Sequence, residues 1–164
     1  MALDRTNMVS LLDVGLLMGS TTSNIVELGD GFTEVSEDWG PDIESTQYVN
    51  MKSKASTLKG YEFTTTLERQ YISDAVQEVV DDLFKKFPTG AQCETFYYRY
   101  YKTDLTTNTG ECIKVPVIVA PSSTGGAGGD ILVSSIQING NGDAVLGNVT
   151  IDPTTGVHTW AAIA

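Results

Sequence analysis

The chain of 164 residues has few of the side chains that bind metals or act as nucleophiles. Its only histidine is His158, and its two cysteines, Cys93 and Cys112, form no CxxC pair. A lone histidine argues against His-based triads and against zinc sites, which take several histidine or cysteine ligands. The sequence therefore predicts no metal site and no cofactor. We expect free, buried, inert thiols, while a disulfide between the two cysteines stays open.

Positive charge is also scarce and is unevenly placed. The chain has 10 lysines and arginines against 21 acidic residues, which gives a net charge of −11. Residues 1–51 contain one basic residue, Arg5, and residues 115–164 contain none. This balance argues against a reader of nucleic acid and against a protein that binds anionic membranes. Two interpretations remain: a surface that keeps the chain soluble, or a surface that must not retain polyanions.

Long apolar runs are missing as well. No run approaches the roughly 18 apolar residues of a transmembrane helix, and Asp13 interrupts the apolar stretch near the start, which is not typical of a signal peptide. The length suits one folded unit. We predict a single domain over residues 1–164.

One segment is predicted to be helical. Apolar side chains at positions 76, 79, 80, 83, 84 and 87 repeat with the spacing of one helix face. Asp74 is the expected N-cap, with Gln77 three residues later, and Pro88 and Gly90 are expected to end the helix. The pattern predicts an amphipathic helix that packs on an apolar surface.

Residues 61–71 show the alternation of a strand with one buried face. Tyr61, Phe63, Leu67 and Tyr71 share the apolar face, and the even-numbered residues between them are polar. An antiparallel strand that is covered on one side is the expected structure.

Three hairpins are predicted from turn-forming residues between apolar segments. The turns lie at 19–23, 104–110 and 140–143. The Gly-Asn-Gly-Asp turn at 140–143 carries a stronger signal than the turn at 104–110, and the turn at 19–23 carries a weaker one. About seven strands and one helix result. We predict a mainly β fold with one α-helix, in which two packed antiparallel sheets form a β-sandwich or rolled barrel with the helix on its flank.

The segment 96–101 is aromatic on both faces. Phe96, Tyr98 and Tyr100 occupy one face, and Tyr97, Arg99 and Tyr101 occupy the other. Either the helix or another subunit is expected to cover the second face, since tyrosine and arginine are enriched at interfaces.

Residues 29–58 have little periodicity and many polar residues. A structureless loop of this length is usually functional or disordered, but this one carries Trp39, Tyr48, Val49 and Met51. We predict an extended loop that becomes ordered on a partner.

Catalytic and ligand-binding motifs are absent from the sequence. The glycine-rich segment 125–129 precedes a strand and lacks the following Lys-Ser or Lys-Thr of a phosphate loop. The segment that starts at Asn139 lacks the glycine and the final glutamate of a calcium loop. No nucleophile–base pair is indicated. We predict that the chain is not an enzyme.

Several short segments, taken in order, resemble the major tail protein, or tail tube protein, of long-tailed bacteriophages, and of phages of Gram-positive hosts in particular. They are VGLLMG at 14–19, LGDGFTE at 28–34, ESTQY at 44–48, KGY at 59–61, the single helix, GGD at 128–130 and NGNGDAVLG at 139–147. The series extends over nearly the whole chain.

The resemblance implies a structural virion protein. Subunits of that family form six-membered rings, the rings stack into the tail tube, and one sheet of each subunit joins its neighbours in an inner β-barrel through which the genome is ejected. The implied partners are further copies of the chain, a tape measure protein, tail-end or terminator proteins, and viral DNA in transient, non-specific passage, with no membrane. Assembly in the host cytoplasm is implied.

Two sets of residues follow as candidates. For the lumen face, a polar strand face without basic residues is expected, and the candidates are Glu62, Thr64, Thr66, Glu68, Ser135, Gln137, Asn139, Asn148 and Thr150. For contacts between subunits, the candidates are Trp39, Tyr48, Val49, Met51, Tyr97, Arg99 and Tyr101. The extended loop at 29–58 becomes, by the same resemblance, a clasp between subunits or rings.

Two other classes compete with this interpretation. A β-sandwich binding module or adhesin on a virion or cell surface would use exposed aromatic residues, namely Trp39, Trp160, Tyr97 and Tyr101. An enzyme would show a carboxylate pair with shifted pKa values in a pocket.

Overall fold

Most of the chain is extended. The computed structural model describes residues 2–163, and within them it has eleven β-strands, one α-helix and four short 3₁₀-helices. The strands are β1 (Met8–Asp13), β2 (Ile25–Glu27), β3 (Phe32–Asp38), β4 (Asp42–Thr46), β5 (Ala55–Gly60), β6 (Thr64–Gln70), β7 (Glu94–Tyr101), β8 (Thr109–Gly125), β9 (Val133–Gly140), β10 (Val145–Ile151) and β11 (His158–Ala162). The helix α1 is Ala75–Lys86, and the 3₁₀-helices are Arg5–Asn7, Val14–Gly19, Gly90–Cys93 and Lys102–Asp104.

The helix α1 forms as its sequence predicts. Asp74 is the N-cap, and its Oδ1 accepts a hydrogen bond of 2.8 Å from the backbone N–H of Gln77. At the other end, Phe87 takes the left-handed conformation (φ 45°) and its N–H donates to the carbonyl of Leu83. Val80 and Leu83 are buried on the apolar face.

The large sheet is antiparallel and is organised around β8. Its main strand order is β2-β1-β7-β8-β9-β6-β3, and β10 and β11 extend it as a branch. The 17 residues of β8 pair with β7 on one side. On its other side β8 pairs first with β10 and then with β9. The predicted hairpin at 140–143 is therefore wrong, because β9 and β10 do not pair with each other but follow one another along the same edge of β8.

The first hairpin is also shifted from its expected position. The segment Val14–Gly19 is a 3₁₀-helix rather than a strand, and β1 pairs with β2 through Leu11 and Glu27. Asp13 explains the early end of β1, because its Oδ1 accepts from the backbone N–H of Gly15 and of Asn24. The hairpin around 104–110 is confirmed, since β7 and β8 pair directly.

The main core lies between one face of the large sheet and α1. Leu67 of β6, Ile138 of β9 and Val117 of β8 are each at most 1% exposed, and they pack in one cluster with Val80 and Leu83 of α1. The helix is thus held by its apolar face on the sheet, as expected.

A second core covers the opposite face of β7. Tyr98 and Tyr100 pack with Val149 of β10 and with the half-buried Trp160 of β11. Tyr97, on the other face, is 0% exposed in the main core. Both aromatic faces of β7 are therefore covered by this chain itself, by the main core on one side and by β10 and β11 on the other.

The burial pattern of residues 61–71 differs from the expected one. Phe63 and Leu67 are buried as predicted, but Tyr61 and Tyr71 are 65% and 45% exposed. Both tyrosines lie beyond the ends of β6, where the sheet no longer continues around them. In their place the inward positions of β6 hold Thr65 and the buried Arg69.

The segment 29–58 is not a structureless loop. It contains β3, which pairs with β6 in the large sheet, and it contains most of the β4–β5 hairpin, a separate two-stranded sheet. The period-2 pattern is weak here because the β4 and β5 residues are exposed on both faces, apart from the half-buried Gly60.

Candidate assembly surfaces

Four strands of the large sheet present an uncovered polar face, which we call the polar face. Cross-strand register places its side chains in three rows across β3, β6, β9 and β8. The rows are Asp38, Thr64, Asn139 and Ile118; Ser36, Thr66, Gln137 and Ala120; and Glu34, Glu68, Ser135 and Ser123. Ten of these twelve positions are polar, and none of the twelve is lysine or arginine.

The charge of the polar face is entirely negative. Glu34, Asp38 and Glu68 are exposed carboxylates, and Glu34 and Glu68 are direct partners across β3 and β6. Like charges that face each other across a strand pair reduce stability. Such a pair is therefore not explained by folding alone.

The polar face ends at two strand edges that have no pairing partner among the described residues. One is β3, which pairs with β6 on one side only. The other is residues 119–125 of β8, which lie beyond the part of β8 that pairs with β7. Three antiparallel steps separate the two strands, so β3 and β8 run in opposite directions. Free edges of this kind are templates for pairing with another chain.

Six of the nine predicted lumen residues lie together on the polar face. They form three cross-strand pairs between β6 and β9: Thr64 with Asn139, Thr66 with Gln137, and Glu68 with Ser135. The structure does not bring the other three to this face. Glu62 precedes β6, and its N–H donates to the carbonyl of Trp39.

Asn148 and Thr150 lie on the other side of the sheet. Asn148 is opposite Glu111 of β8, and odd-numbered positions of β8 such as Val115 point into the main core. These two residues therefore do not share a face with the other six candidates, because the polar alternation of a strand does not tell which face of the sheet it occupies. The sequence analysis also missed Glu34, Ser36 and Asp38, because β3 was taken for loop.

The β4–β5 hairpin is the most exposed element of the chain. Ile43 and Leu58 are cross-strand neighbours and are 57% and 48% exposed. Between the two strands, Tyr48 is 61% exposed and Val49 is fully exposed. Two-stranded sheets are marginally stable alone in water, and this one lacks a covering surface within residues 2–163.

The turn of this hairpin is nevertheless held by its own hydrogen bonds. The N–H of Met51 donates to the carbonyl of Tyr48 at 3.0 Å, and Gln47 Nε2 donates to the carbonyl of Met51 at 3.2 Å. Near its base, Lys59 pairs with Glu44 at 2.5 Å. Tyr48 and Val49 are therefore displayed on a formed turn, as a contact surface requires, while Met51 is half-buried.

Other residues predicted to contact a neighbouring subunit lie inside the chain, around Glu37. The hydroxyl of Tyr97 donates to Glu37 Oε2 at 3.0 Å and also contacts Ser10 Oγ at 2.9 Å. Trp39 Nε1 donates to Glu37 Oε1 at 3.2 Å, and Arg99 Nε lies 3.6 Å from Glu37 Oε2. Burial, with the nearby charge of Glu37, raises the pKa of Tyr97 far above its ordinary range.

The contact prediction for Tyr97 is corrected accordingly, and those for Trp39, Arg99 and Tyr101 stay predictions. Tyr97 has no exposed surface to offer, and Trp39 is half-buried with its ring centroid 4.6 Å from that of Phe63. Arg99 and Tyr101 are half-buried, and Arg99 Nη1 donates to the hydroxyl of Tyr101 at 3.2 Å. The aromatic and cationic composition of β7 serves packing within the chain.

A buried arginine ties β6 to the start of α1. Arg69 is 1% exposed and donates to Asp74 Oδ1 at 2.7 Å, to Gln77 Oε1 at 3.1 Å and to the carbonyl of Asp30 at 2.8 Å. Burial alone would raise the pKa of Asp74, but its hydrogen bonds from Gln77 and Arg69 lower it overall. In the sequence, this group is indicated only by the position of Arg69, which has the same alternation along the strand as the buried Phe63 and Leu67.

The described residues offer little for catalysis or metal binding. Residues 2–163 contain no cluster of three or more histidine, cysteine or acidic side chains arranged to hold a metal ion. In the same part of the chain, no helix is long and apolar enough to cross a membrane. Cys112 is buried, which raises the pKa of its thiol to about 12, and both cysteines are free. Burial lowers the pKa of His158.

Comparison with known proteins gives matches to structures but not to sequences. No family model and no curated protein matches this chain. A chain from the tail of an empty gene transfer agent particle, refined with C6 symmetry, is 10% identical with a TM-score of 0.60, over 87% of this chain and 97% of that one. A chain of the SPP1 tail tube is 8% identical with a TM-score of 0.64, over 88% and 78%.

A third match comes from an injection system. A chain of the sheath–tube complex of the extracellular contractile injection system PVC, in its extended state, is 11% identical with a TM-score of 0.54, over 88% of this chain and 90% of that one. At such low identities these matches establish a shared fold. The resemblance to tail tube proteins is thereby confirmed at the level of the fold: this chain folds as chains of a gene transfer agent tail, the SPP1 tail tube and a contractile injection system do.

Proposed function

We propose that this chain is the structural subunit of a phage tail tube, and that copies of it form hexameric rings that stack into a hollow conduit for genome ejection. The observation that carries the proposal is the polar face with its two free, oppositely directed edges. The fold likeness to a six-fold symmetric tail and to a tail tube supports it.

Ring closure follows from the direction of the two edges. If β3 of one copy lies beside residues 119–125 of the next copy, the two strands run antiparallel, as every pair in the large sheet does. The same contact can then repeat around a rotation axis until the ring closes. Closure would remove both free edges, which otherwise promote aggregation.

The shape of the subunit in this proposal is a sheet rolled upon itself, with α1 on the flank. Contacts across the interior support the rolling: Tyr97 of β7 reaches both Ser10 of β1 and Glu37 of β3, although β3 is the last strand of the order. Arg5 Nη2 also donates to the carbonyl of Val35 in β3, at 3.1 Å.

The polar face is assigned to the lumen. Three carboxylates per copy and no basic residue on that face give a wall that does not bind phosphate. At physiological ionic strength the Debye length is about 8 Å, so the repulsion of DNA acts only close to the wall. Such a wall prevents sticking without closing the passage.

The β4–β5 hairpin is assigned to contacts between copies, in the role expected for residues 29–58. Its exposed apolar side chains and its formed turn support this. A tape measure protein inside the tube, terminator or tail-end proteins, assembly in host cytoplasm and a host among Gram-positive bacteria complete the proposal as the sequence resemblance implies it. No membrane partner and no enzymatic activity are proposed.

The exposure of the aromatic residues does not support the alternative, a β-sandwich binding module or adhesin. It required exposed Trp39, Trp160, Tyr97 and Tyr101, but Tyr97 is buried and the other three are half-buried.

Negative-stain electron microscopy of the purified chain over a range of concentrations tests the proposal. Six-membered rings or hollow tubes are expected, and a chain that stays monomeric at every concentration contradicts it. Deleting residues 50–54, in the hairpin turn, should leave a folded monomer that no longer polymerises, with folding checked by circular dichroism. Normal tubes from this deletion would refute the assignment of the hairpin.

A pair of point variants refines that test. Tyr48→Ser with Val49→Ser removes exposed apolar side chains from the hairpin turn and is expected to prevent polymerisation. Val157→Ser with Ile163→Ser is the matched control, because these side chains are 57% and 49% exposed but lie outside the hairpin. Equal losses in both variants would show a general dependence on surface hydrophobicity instead.

A further inference from the structure

The four strands of the polar face, β3, β6, β9 and β8, have different surroundings at their two ends. The β4–β5 hairpin leaves from the end where β3 stops and β6 starts. At the opposite end lie three loops, residues 28–31, 71–74 and 126–132, which we call the acidic end together with Glu27, the last residue of β2. The seven residues of β6 separate these two ends by roughly 20 Å.

The acidic end carries an exposed apolar patch. Tyr71, Ile72, Ile131 and Leu132 are 45%, 41%, 58% and 42% exposed. The N–H of Tyr71 donates to the carbonyl of Leu132 at 2.8 Å, so two loops are joined. Ile72 lies beside the loop that contains Gly31, since a methyl group on Gly31 would come within 3.0 Å of Ile72 Cδ1. Contiguous apolar patches of this kind mark interaction sites.

The exposed charges of the acidic end are all negative. Glu27, Asp30 and Asp130 are exposed carboxylates of the acidic end, whose three loops contain no lysine or arginine. Arg69, which donates to the carbonyl of Asp30, is buried and paired with Asp74. A partner for this end should therefore combine apolar side chains with positive charge.

The hairpin turn has that composition. Residues 47–54, which we call the tip, contain Lys52 and Lys54 and no acidic residue, although the chain as a whole carries a net charge of −11. The tip also displays Tyr48 and Val49, the most exposed large apolar pair of the hairpin. Apolar and charged groups of the tip thus complement those of the acidic end.

We propose that the tip of one copy docks on the acidic end of the next copy. Tyr48 and Val49 cover the apolar patch, and Lys52 and Lys54 lie against Asp30 and Asp130. This inference rests on the proposed function, in which copies of the chain assemble, and it adds the receiving surface. Because tip and acidic end are at opposite ends of one molecule, the contact is head-to-tail and continues lengthwise without closing.

Charge reversal tests the pairing. Lys52→Glu with Lys54→Glu, and separately Asp30→Lys with Asp130→Lys, should each raise the concentration needed for tube formation by about tenfold or more, as measured by sedimentation. The chain that carries all four substitutions should again form tubes at the concentration that the unmodified chain needs. Lys85→Glu with Lys86→Glu, on α1, is the matched control and should assemble normally. Loss in both reversals without recovery in the combination overturns the proposed pairing.

Cross-linking locates the contact. In a Cys93→Ala background, Val49→Cys and Ile131→Cys should give disulfide-linked chains in assembled tubes, whereas Val49→Cys with Phe87→Cys should not, although Phe87 is as exposed as Ile131. Tubes that form without the first cross-link overturn this inference alone. An unmodified chain that forms neither rings nor tubes overturns the proposed function itself.

Discussion

Glu34 and Glu68 are direct cross-strand partners on β3 and β6, with both carboxylates on the uncovered polar face. Since like charges in this position reduce the stability of a strand pair, the pair is better understood from the assembled tube than from the fold of one copy. In the lumen proposed here, both carboxylates would face passing DNA.

Glu68→Gln should therefore stabilise the single chain. Removing one of two opposed charges is expected to raise the free energy of unfolding by about 0.2–1 kcal/mol, as measured by urea denaturation at neutral pH. The gain should shrink in high salt, which screens exposed charges. Glu62→Gln is the control, because Glu62 lies outside the strands. A destabilised Glu68→Gln variant would contradict the repulsion.

Asp74→Asn isolates the charge that Asp74 supplies to Arg69, because asparagine caps a helix as well as aspartate does. We expect a loss of about 1–2 kcal/mol at neutral pH, at the low end for a hydrogen bond to a charged group because Asp74 is partly exposed. Asp82→Asn, which affects only an exposed pair with Lys86, should change stability by about 0.5 kcal/mol or less.

The stabilisation that Asp74 supplies should also depend on pH. The folded-state pKa of Asp74 is below 3.8, so its contribution is fully present above the unfolded-state pKa and is lost as pH falls through the folded value. The stability difference between the unmodified chain and Asp74→Asn should therefore be constant near neutrality and shrink below about pH 4. A difference that grows on acidification would show that the carboxylate has no such role.

Thr66→Lys with Gln137→Lys places two cations side by side in the middle row of the polar face. Assembled tubes of this variant should retain double-stranded DNA, and retention should fall steeply with salt. Co-sedimentation of DNA with tubes measures the effect. Thr66→Glu with Gln137→Glu, at the same positions, should retain none. If the lysine variant binds no more DNA than unmodified tubes do, the polar face does not line the lumen.

The two cysteines should differ in reactivity. Burial raises the pKa of Cys112 to about 12, so its thiol stays protonated at pH 8 and is also shielded. Cys93 is half-buried, and its Sγ donates to the carbonyl of Gly90 at 3.1 Å. One thiol per chain should react with a disulfide reagent in native conditions and two in urea. Fast reaction of both in the native chain would contradict the burial of Cys112.

The sequence by itself determined the features that depend on near neighbours. The helix α1 was predictable because its apolar period, its Asp74 cap and its terminating residues all lie within the seventeen positions 74–90. The β7–β8 hairpin was predictable for the same reason. The scarcity of basic residues, and their uneven placement along the chain, needed only composition and position.

The tertiary structure decided what depends on distant partners. Strand alternation places Thr66 and Asn148 on polar faces, but only the pairing of β6 with β9 and of β10 with β8 shows that these faces are on opposite sides of the sheet. Likewise, Arg69 could be buried only because two separate segments meet its guanidinium: the start of α1, with Asp74 and Gln77, and the loop that carries the carbonyl of Asp30. Desolvation of a charge is tolerable where such partners converge, and that convergence is a property of the folded chain.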